Sequence, residues 1–267
     1  MLYLYLSTRN IFLVAIVFTI IFIGILKLFR LSRRYKNAYK ERYKKEIFAA
    51  LFHEVSFDWS FIEGDTSFVE SLFKSSGLYR RYETLKADDV IMAKKDTTKV
   101  CMSEISATYT VKTKDSSYTK IIFQGFFIEI EFEKVFECTT YVLGEAESVS
   151  LSGYDKKGRR IEETELEWND FEKFLKVESS HPREAREILT PDFMGVLYDW
   201  WSNHKKDLRF VFKDNNMCIA IPSTLTFEGH LIGSKEQEKN IIKEHLELLH
   251  FVEETVDILM YHNRLKS

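Results

Sequence analysis

The chain has 267 residues and a formal net charge of -3, with 45% hydrophobic and 15% aromatic residues. This composition is rich enough in apolar side chains for a sizeable core and excludes a disordered chain. Residues 1–45 hold ten Lys or Arg and one Glu, a net +9, whereas the remainder holds 28 basic and 40 acidic residues, a net -12. Phosphate contacts need positive charge on the surface of the folded domain, so we expect no nucleic-acid partner.

The first predicted element is a transmembrane helix at residues 11–29, which follows a short outer tail at residues 1–10. From Ile11 to Leu26 the sequence carries no charge, and as a helix this stretch is about 24 Å long. Leu28 and Phe29 extend it towards the hydrocarbon thickness if Lys27 reaches the interface. A signal peptide or a buried core helix would be the alternative. The following residues lack a small-residue cleavage site, and cores rarely need a helix that is apolar all round.

Basic residues on one side of this segment predict its orientation. Between residues 27 and 45 nine Lys or Arg stand against Glu41, and only Arg9 precedes the helix. The charge bias predicts a single-pass protein of the plasma membrane, with its N-terminus outside and its C-terminal domain in the cytoplasm. Three cysteines are too few for a disulfide framework and fit a reducing compartment. Six residues, named here the basic collar, are expected to face anionic lipid: Lys27, Arg30, Arg33, Arg34, Lys36 and Lys40.

A basic juxtamembrane helix is predicted over residues 30–56, where the sequence contains neither Gly nor Pro. Tyr35, Tyr39 and Tyr43 recur every four residues and therefore form one stripe on a helix. Three contacts are open to this stripe: the bilayer, a partner helix, or the protein's own domain. The residues that follow, from Ile47 to Phe52, have the pattern of ordinary core contacts.

Residues 57–267 are predicted to form one cytoplasmic α+β domain. The alternation at residues 57–61 indicates a strand, and the next segment is a helix that Asp65 or Thr66 can cap and that ends near Gly77. Strand patterns then dominate to residue 143. Because short loops separate these strands, we expect them to pair in sequence order as an antiparallel meander.

Alternation assigns faces to two of these strands. In the strand near residue 105, Ile105, Ala107 and Tyr109 are predicted to be buried and Glu104 to face solvent. The next strand places four apolar residues inward, Phe126, Ile128, Ile130 and Phe132, and two acids outward, Glu129 and Glu131. Gly125 interrupts this strand and predicts a bulge.

The second half of the chain begins with a polar segment at residues 144–170, which is predicted to be a surface loop. A strand at residues 171–180 follows it. Pro182 and Pro191 suit the first positions of two helices, with Thr190 as a cap. A hairpin at residues 207–222 and a long helix from Ser234 to Tyr261 complete the predicted fold. The expected fold class is therefore α+β, with a transmembrane helix, a juxtamembrane helix and an antiparallel sheet flanked by helices.

The best candidate ligand site is the junction between the strand at residues 171–180 and the helices after it. It contains His181, Arg183, Glu184, Arg186 and Thr190. Backbone donors at such a junction can hold an anion. The same residues suit structural capping, because Glu184 follows His181 by three positions and Arg186 can pair with an acid of the sheet. Ligand binding and capping both stay open at this point.

No other motif indicates chemistry. His53 and Glu54 are adjacent, but no second His follows at helical spacing, and His245 and His250 point to different faces of a helix. The sequence contains no glycine-rich phosphate loop and no nucleophile elbow. We therefore assign no catalytic residue, no metal ligand and no cofactor, and we lean against an enzyme.

Four stretches resemble the bacterial DUF3137 family, a domain of unknown function: SEISATY at 103–109, IIFQGFFIEIEF at 121–132, EAREILTPDFM at 184–194 and FVFKDNNMCIAI at 210–221. The resemblance extends from about Tyr35 to the last helix. It implies a membrane-anchored protein of uncharacterised activity and supplies no catalytic residues. Members often carry two membrane helices before the basic collar, whereas this chain has room for one.

Three classes of function remain open from the sequence. The leading class is a protein-binding or scaffold module tethered to the inner face of the plasma membrane. The second is a module that senses lipid headgroups through the basic collar. The third is an enzyme that acts on a membrane substrate, with the 181–190 junction as its site. An exposed apolar patch would favour the first class, a basic concavity the second, and a deep polar pocket the third.

Overall fold

A computed structural model describes residues 2–62, 65–114, 116–144, 153–204, 207–228 and 235–265, with side chains between residues 18 and 261. The helices in these ranges are α1 Leu2–Arg42, α2 Ala49–His53, α3 Ser67–Ser76, α4 Asn169–Glu172, α5 Pro182–Ile188, α6 Pro191–His204 and α7 Lys235–Leu265. A π-helical turn at Tyr43–Phe48 joins α1 to α2. The strands are β1 Ser60–Ile62, β2 Thr84–Lys95, β3 Thr98–Lys112, β4 Ser117–Glu131, β5 Thr140–Gly144, β6 Glu162–Glu163, β7 Leu175–Ser179, β8 Arg209–Lys213 and β9 Asn216–Pro222.

The fold is α+β, as predicted, with one large antiparallel sheet and a long C-terminal helix. The strand order is β1-β2-β3-β4-β9-β8-β5-β7-β6. The predicted meander is confirmed from β1 to β4 but wrong at β5, which pairs with β7 and β8. The β8–β9 hairpin lies between β4 and β5, because β9 takes the edge of β4 from Gly125 to Glu131. Five of the seven residues of β9, from Met217 to Ile221, carry apolar or small side chains that this central position buries.

The sheet is buried on both faces. The main core lies under α6, α7 and the π-helical turn, and it contains Phe48, Phe126 and Phe193. The second core lies under α3, where the Phe73 ring is 5.2 Å from that of Phe127, measured between centroids. The α3 boundaries confirm the predicted cap and stop: Asp65 accepts a hydrogen bond from the backbone of Ser67, and Gly77 has a left-handed φ of 70°.

Burial of both faces corrects the predicted orientation of two acids. Glu104 lies on the main-core face of β3, beside the buried Met102, and Glu129 lies half-buried on the second-core face of β4. An alternating pattern with acids on one face predicts a solvated face, but here helices cover that face as well. Tyr109 was expected to be buried and is 41% exposed, because β3 runs past the end of β2.

The polar segment at residues 144–170 is more structured than the loop predicted from its sequence. Tyr154 and Arg160 form an isolated antiparallel bridge, and β6 pairs with β7 as an edge strand. Residues 145–152 of this segment lie outside the described residues. A two-residue strand of glutamates has no apolar alternation, so sequence patterns could not identify it.

The predicted anchor at residues 11–29 falls within α1, and its part at 11–17 lies outside the residues with described side chains. In the part of the chain with described side chains, no helix is both long and apolar enough to span a membrane. The helical path predicted to continue to residue 56 is present up to His53, through the π-helical turn and α2.

A single buried carboxylate connects the end of this helical path to α7. Glu253 is 7% exposed and accepts hydrogen bonds from the backbone N–H groups of Phe57 at 2.7 Å and Ser56 at 3.0 Å. The Ser56 hydroxyl and the Trp59 indole donate to the same carboxylate at 3.1 and 3.2 Å. With four donors satisfied, the turn that follows α2 is fixed against α7.

Replacing Glu253 with Ala should therefore destabilise the whole domain. The change leaves buried donors without an acceptor, and we expect the free energy of unfolding to fall by about 3 kcal/mol. Chemical denaturation followed by circular dichroism measures this loss. Glu254→Ala is the matched control, because Glu254 is the exposed neighbour on the same helix. Equal stability of the two variants would contradict the assigned role of Glu253.

Candidate functional site

The base of the basic helix enters the main core. Tyr35 is 69% exposed, Tyr39 is half-buried, and Tyr43 is buried. One turn later, the Phe48 ring lies 5.4 Å from Phe61 and 5.3 Å from Phe227, measured between centroids, with edge-on geometry. Of the three contacts left open for the tyrosine stripe, the structure supports packing on the protein's own domain for its lower two members.

Two ion pairs reinforce this packing. Lys40 pairs with Glu228, and Lys44 pairs with Asp89 on β2. Lys40 was assigned to the lipid-facing collar, but its ammonium contacts the domain. The other five members of the collar are exposed along α1: Lys27, Arg30, Arg33, Arg34 and Lys36. The collar is therefore divided into an upper exposed part and one residue that pairs with the domain.

The lysines meet a cluster of acids: Asp88, Asp89, Glu104 and Glu228. A bulge in β2 places Asp88 and Asp89 side by side, with Asp89 at a φ of 39°. The pKa of Glu104 is raised to about 8, mainly by burial and also by the nearby carboxylates, whereas a hydrogen bond donated by the Phe227 backbone opposes the shift. Burial also raises the pKa of Asp89, and Lys44 opposes this change. Glu104 is therefore held mostly neutral at pH 7.

A cleft of about 560 Å³ opens beside this cluster, and we name it the stalk cleft. It lies between the π-helical turn and the β1–β2 edge. Phe52 and Phe61 supply apolar surface, and Lys44, Lys45 and Asp88 supply charge. Since lysines and aspartates offset each other here, the cleft has no strong preference for either sign of ligand charge. Shifted acids next to a π-helical turn nevertheless make it the candidate site with the most unusual local structure.

The predicted junction at residues 181–190 serves mainly as a capping structure. His181 is the N-cap of α5, and its Nδ1 accepts the Glu184 backbone N–H at 3.2 Å. The Glu184 carboxylate accepts the backbone N–H of Glu137 at 2.6 Å, which ties α5 to the segment before β5. This carboxylate therefore satisfies a backbone donor of a distant segment.

The remaining residues of the junction also have partners within the protein. Arg186 donates to the backbone oxygen of Glu165 at 3.1 Å and so contacts a carbonyl instead of the acid that we expected. Arg183 pairs with Glu187 at 3.2 Å on the surface of α5. Thr190 accepts the Phe193 backbone N–H at 3.3 Å, as predicted for a cap. These contacts favour the capping interpretation over anion binding.

Sequence patterns did not identify the acid cluster. Asp88 and Asp89 read as the polar start of a strand, and Glu228 precedes a segment without clear pattern. The available signal was the Asp-Asp pair within a strand, since adjacent acids are unfavourable there unless cations face them. Only the fold shows that Lys44 supplies such a cation to Asp89 and that Lys40 pairs with Glu228.

The described residues contain no group of three or more His, Cys, Asp or Glu placed to hold a metal ion. The cysteines Cys101, Cys138 and Cys218 are free and buried. Burial raises the pKa of the Cys101 thiol to about 12 and that of Cys138 to about 11. Thiols with these values stay protonated at neutral pH, which fits their interpretation as small buried side chains.

Comparison with protein families supplies one match. The family model described as a protein of unknown function, DUF3137, matches residues 121–260. The chain belongs to this family. The matched region begins in β4 and ends in α7, so it includes the capping junction, the β8–β9 hairpin and Glu253. It excludes α1, the π-helical turn and the aspartates of β2.

Among solved structures, the chain is similar to the mycobacterial trehalose monomycolate transport factor A, TtfA. The TM-score is 0.40 and the sequence identity 10%, over 80% of this chain and 95% of that one. No curated protein matches the chain.

The capping role of the junction predicts how two variants should behave. Thr190→Ala should lower the free energy of unfolding by about 1 kcal/mol, because α6 loses its cap. Arg183→Ala should change it by less than about 0.5 kcal/mol, because the Arg183 pair is solvent-exposed. Thermal melts with and without inorganic phosphate provide the measurement. An anion site would give a different result. Phosphate would then raise the melting temperature of the wild type, and Arg186→Ala would abolish this effect without changing the melting temperature measured in the absence of phosphate.

The buried Glu104 predicts a specific pH dependence of stability. Its folded pKa of about 8 lies above the unfolded value near 4.5, so the folded state binds the extra proton between these values. Stability should fall as pH rises through this window, by at most about 1.4 kcal/mol per pH unit. Glu104→Gln keeps an oxygen for the Phe227 N–H and should flatten that slope. Denaturation midpoints between pH 5 and 9 test it, and parallel slopes for wild type and variant would refute the assignment.

Proposed function

We propose that this protein is a membrane-tethered module whose α+β domain binds another protein at the cytoplasmic face of the plasma membrane. In this proposal α1 crosses the bilayer once, and its N-terminus lies outside. The domain after the basic collar lies inside and carries no catalytic function. The membrane and a protein are its partners.

The observation that carries the proposal is the exposed apolar surface of α1. Large apolar side chains on every side of the helix are exposed, and they continue to Leu31: Phe18, Ile20, Ile21, Phe22, Ile23, Ile25, Leu26, Leu28, Phe29 and Leu31. Soluble surfaces rarely expose a contiguous apolar patch of this size. Hydrocarbon is the environment that suits such a surface, and the sequence from Ile11 to Leu26 continues the same character towards the N-terminus.

The base of α1 supports a tether that also positions the domain. Phe48 and Tyr43 pack into the main core, and Lys40 and Lys44 pair with the acid cluster. A flexible linker would leave the domain free to rotate below the membrane. Here the helix continues into the core, so the domain surface faces its surroundings in a fixed orientation. Such an orientation suits a module that binds a neighbour in the same membrane.

Protein is the favoured partner because exposed apolar residues occur on the domain itself, far along the sequence from α1. Tyr118 and Ile121 on β4 are each 57% exposed. They lie at the end of the sheet where β3 and β4 extend past the neighbouring strands. Exposed apolar side chains on an acidic domain favour contact with another protein over contact with anionic lipid.

Lipid-headgroup sensing is the second candidate, and the five exposed collar residues favour it. Each basic residue near an anionic surface contributes about 1 kcal/mol of attraction. The collar would then report lipid composition through the fixed helix. The lower tyrosines do not contribute to this function, because Tyr43 is buried in the core.

A topology reporter combined with cross-linking in native membranes tests the proposal. A reporter that is active only outside the cytoplasm, fused after Ser267, should stay inactive. Replacing Arg30, Arg33, Arg34, Lys36 and Lys27 with Gln should raise its activity, because the charge bias that sets orientation is lost. Five exposed domain lysines replaced with Gln form the matched control: Lys86, Lys94, Lys134, Lys157 and Lys235. An active reporter on the unaltered chain would refute the cytoplasmic placement.

Cross-linking of the same membranes distinguishes the classes of partner. We expect one protein to be recovered with the chain in a constant ratio after affinity purification. Recovery of the chain alone, together with binding to anionic but not neutral vesicles, would refute the protein-binding proposal and favour lipid sensing.

A further inference from the structure

Strands β3 and β4 extend past the rest of the sheet as a two-stranded arm, made of residues 109–112 and 117–124. The ladder between β2 and β3 begins at Thr84 and Thr108, so residues of β3 beyond Thr108 have no β2 partner. The ladder between β4 and β9 begins at Gly125 and Pro222. Within the arm, β3 and β4 pair with each other up to Lys112 and Ser117.

Strand β9 ends at Pro222, which lies opposite Gly125. The two backbones also approach closely here, because a Cβ on Gly125 would lie 2.1 Å from the Ile221 carbonyl oxygen. After one further bond, from the Ser223 N–H to the Gln124 carbonyl at 3.0 Å, the chain turns away. Among the described residues, no strand pairs with Ser117–Phe123 on this side.

A groove of about 580 Å³ lies beside this edge. Its lining includes the apolar side chains of Ile121, Phe123 and Leu225. The buried Arg209 lies in the groove lining, where its guanidinium stacks 4.0 Å from the Tyr79 ring centroid and pairs with Asp207 at 3.3 Å. The groove therefore offers apolar contact next to a row of backbone donors and acceptors.

We propose that the edge of β4 at Ser117–Phe123 binds an extended segment of a partner protein as an added strand. The segment is apolar where it enters the groove and acidic where it follows the end of the arm. This inference rests on the proposed function, in which the domain binds protein, and it names the surface and the chemistry of the partner. Backbone hydrogen bonds to the edge supply affinity, and side-chain contacts supply specificity.

Charge on the arm determines which end of the segment is acidic. Lys112 and Lys120 lie on the arm, and the sequence between its two strands adds Lys114 and Asp115. At the base, Glu83 accepts the Thr110 backbone N–H at 3.0 Å, so this acid is already engaged. The groove end carries Glu244 and the paired Asp207, which disfavour acids there. A segment of mixed character matches both ends.

The same lysines disfavour a second copy of the chain as the occupant. Two β4 edges that pair with each other bring two lysine-bearing arms together, and like charges on adjacent strands destabilise a pair. Lysines on an edge strand commonly prevent such self-association. An acidic segment relieves this repulsion and also provides opposite-charge pairs across the new ladder.

The partner strand should run antiparallel to β4, as every pair in this sheet does. Its N-terminal end then lies in the groove and its C-terminal end at the lysines. A suitable probe is the acetylated and amidated heptapeptide Val-Thr-Ile-Thr-Glu-Thr-Glu with a fluorescent label. The comparison probes replace both Glu with Lys, or carry N-methyl groups on one or the other set of alternate residues.

Fluorescence anisotropy with the full chain in nanodiscs of neutral lipid tests the proposal. We expect the Glu probe to bind at least tenfold more tightly than the Lys probe. One N-methyl set should abolish binding and the other should not, because a strand on an edge uses only alternate N–H groups. Hydrogen exchange should slow at Ser117–Phe123 when the Glu probe is bound. Equal effects of both N-methyl sets, or no binding of the Glu probe, would overturn the proposal.

Two charge reversals complete the test. Lys120→Glu should reduce Glu-probe binding at least fivefold, whereas Lys134→Glu should not, because Lys134 is an exposed lysine beyond the opposite end of β4. A dimer in light scattering that dissociates in Ile121→Asp, without any probe binding, would place a second copy on the edge and overturn the proposal. If the Glu probe does not bind the β4 edge while a partner still copurifies from membranes, the proposed function stands and only the assigned surface is wrong. If no partner copurifies, the function itself fails, whatever the probe does.

Discussion

Burial of Phe48 in the main core is the constraint on which the arrangement of the chain depends. This side chain belongs to the helical path of α1, yet it packs with Phe61, Phe227 and His245, which come from distant parts of the sequence. Because Phe48 packs against Phe61 on β1, the chain after α2 returns to the sheet. Glu253 accepts the backbone N–H groups of Ser56 and Phe57 in this returning segment. Removing the aromatic ring would therefore loosen both the domain and its connection to the helix.

The sequence predicted most elements of this fold but not how they are arranged. Local signals were reliable where one residue decides the backbone, as at Gly77, Pro182 and Thr190. They failed at β5, whose neighbour in the sheet is the β8–β9 hairpin far along the chain, because alternation identifies a strand and does not identify its partner. They also failed for Glu104, since a polar residue in an alternating strand gives no sign that a helix and a loop cover it.

The candidate sites also differ in this way: roles set by neighbouring residues were predictable, and contacts between distant residues were not. Thr190 was predicted as a cap, and capping was one of the two roles left open for His181, because caps depend on neighbours in the sequence. The pairing of Lys40 with Glu228 and of Lys44 with Asp89 was not foreseen, since these acids follow the lysines by 188 and 45 residues in the sequence. A run of basic residues was interpreted as one surface, and the fold divides it between two environments.

The continuous helix also limits where the domain can act. From Phe29 to Lys40, α1 rises by about 16 Å at the spacing of an ordinary helix. In the proposed orientation, the first attachment of the domain therefore lies within about two Debye lengths of the lipid surface at physiological salt. The helix enters the core without a hinge of glycine or proline, so in this orientation the domain would stay close to the lipid surface. The proposed partner would then have to come to the membrane or already reside there.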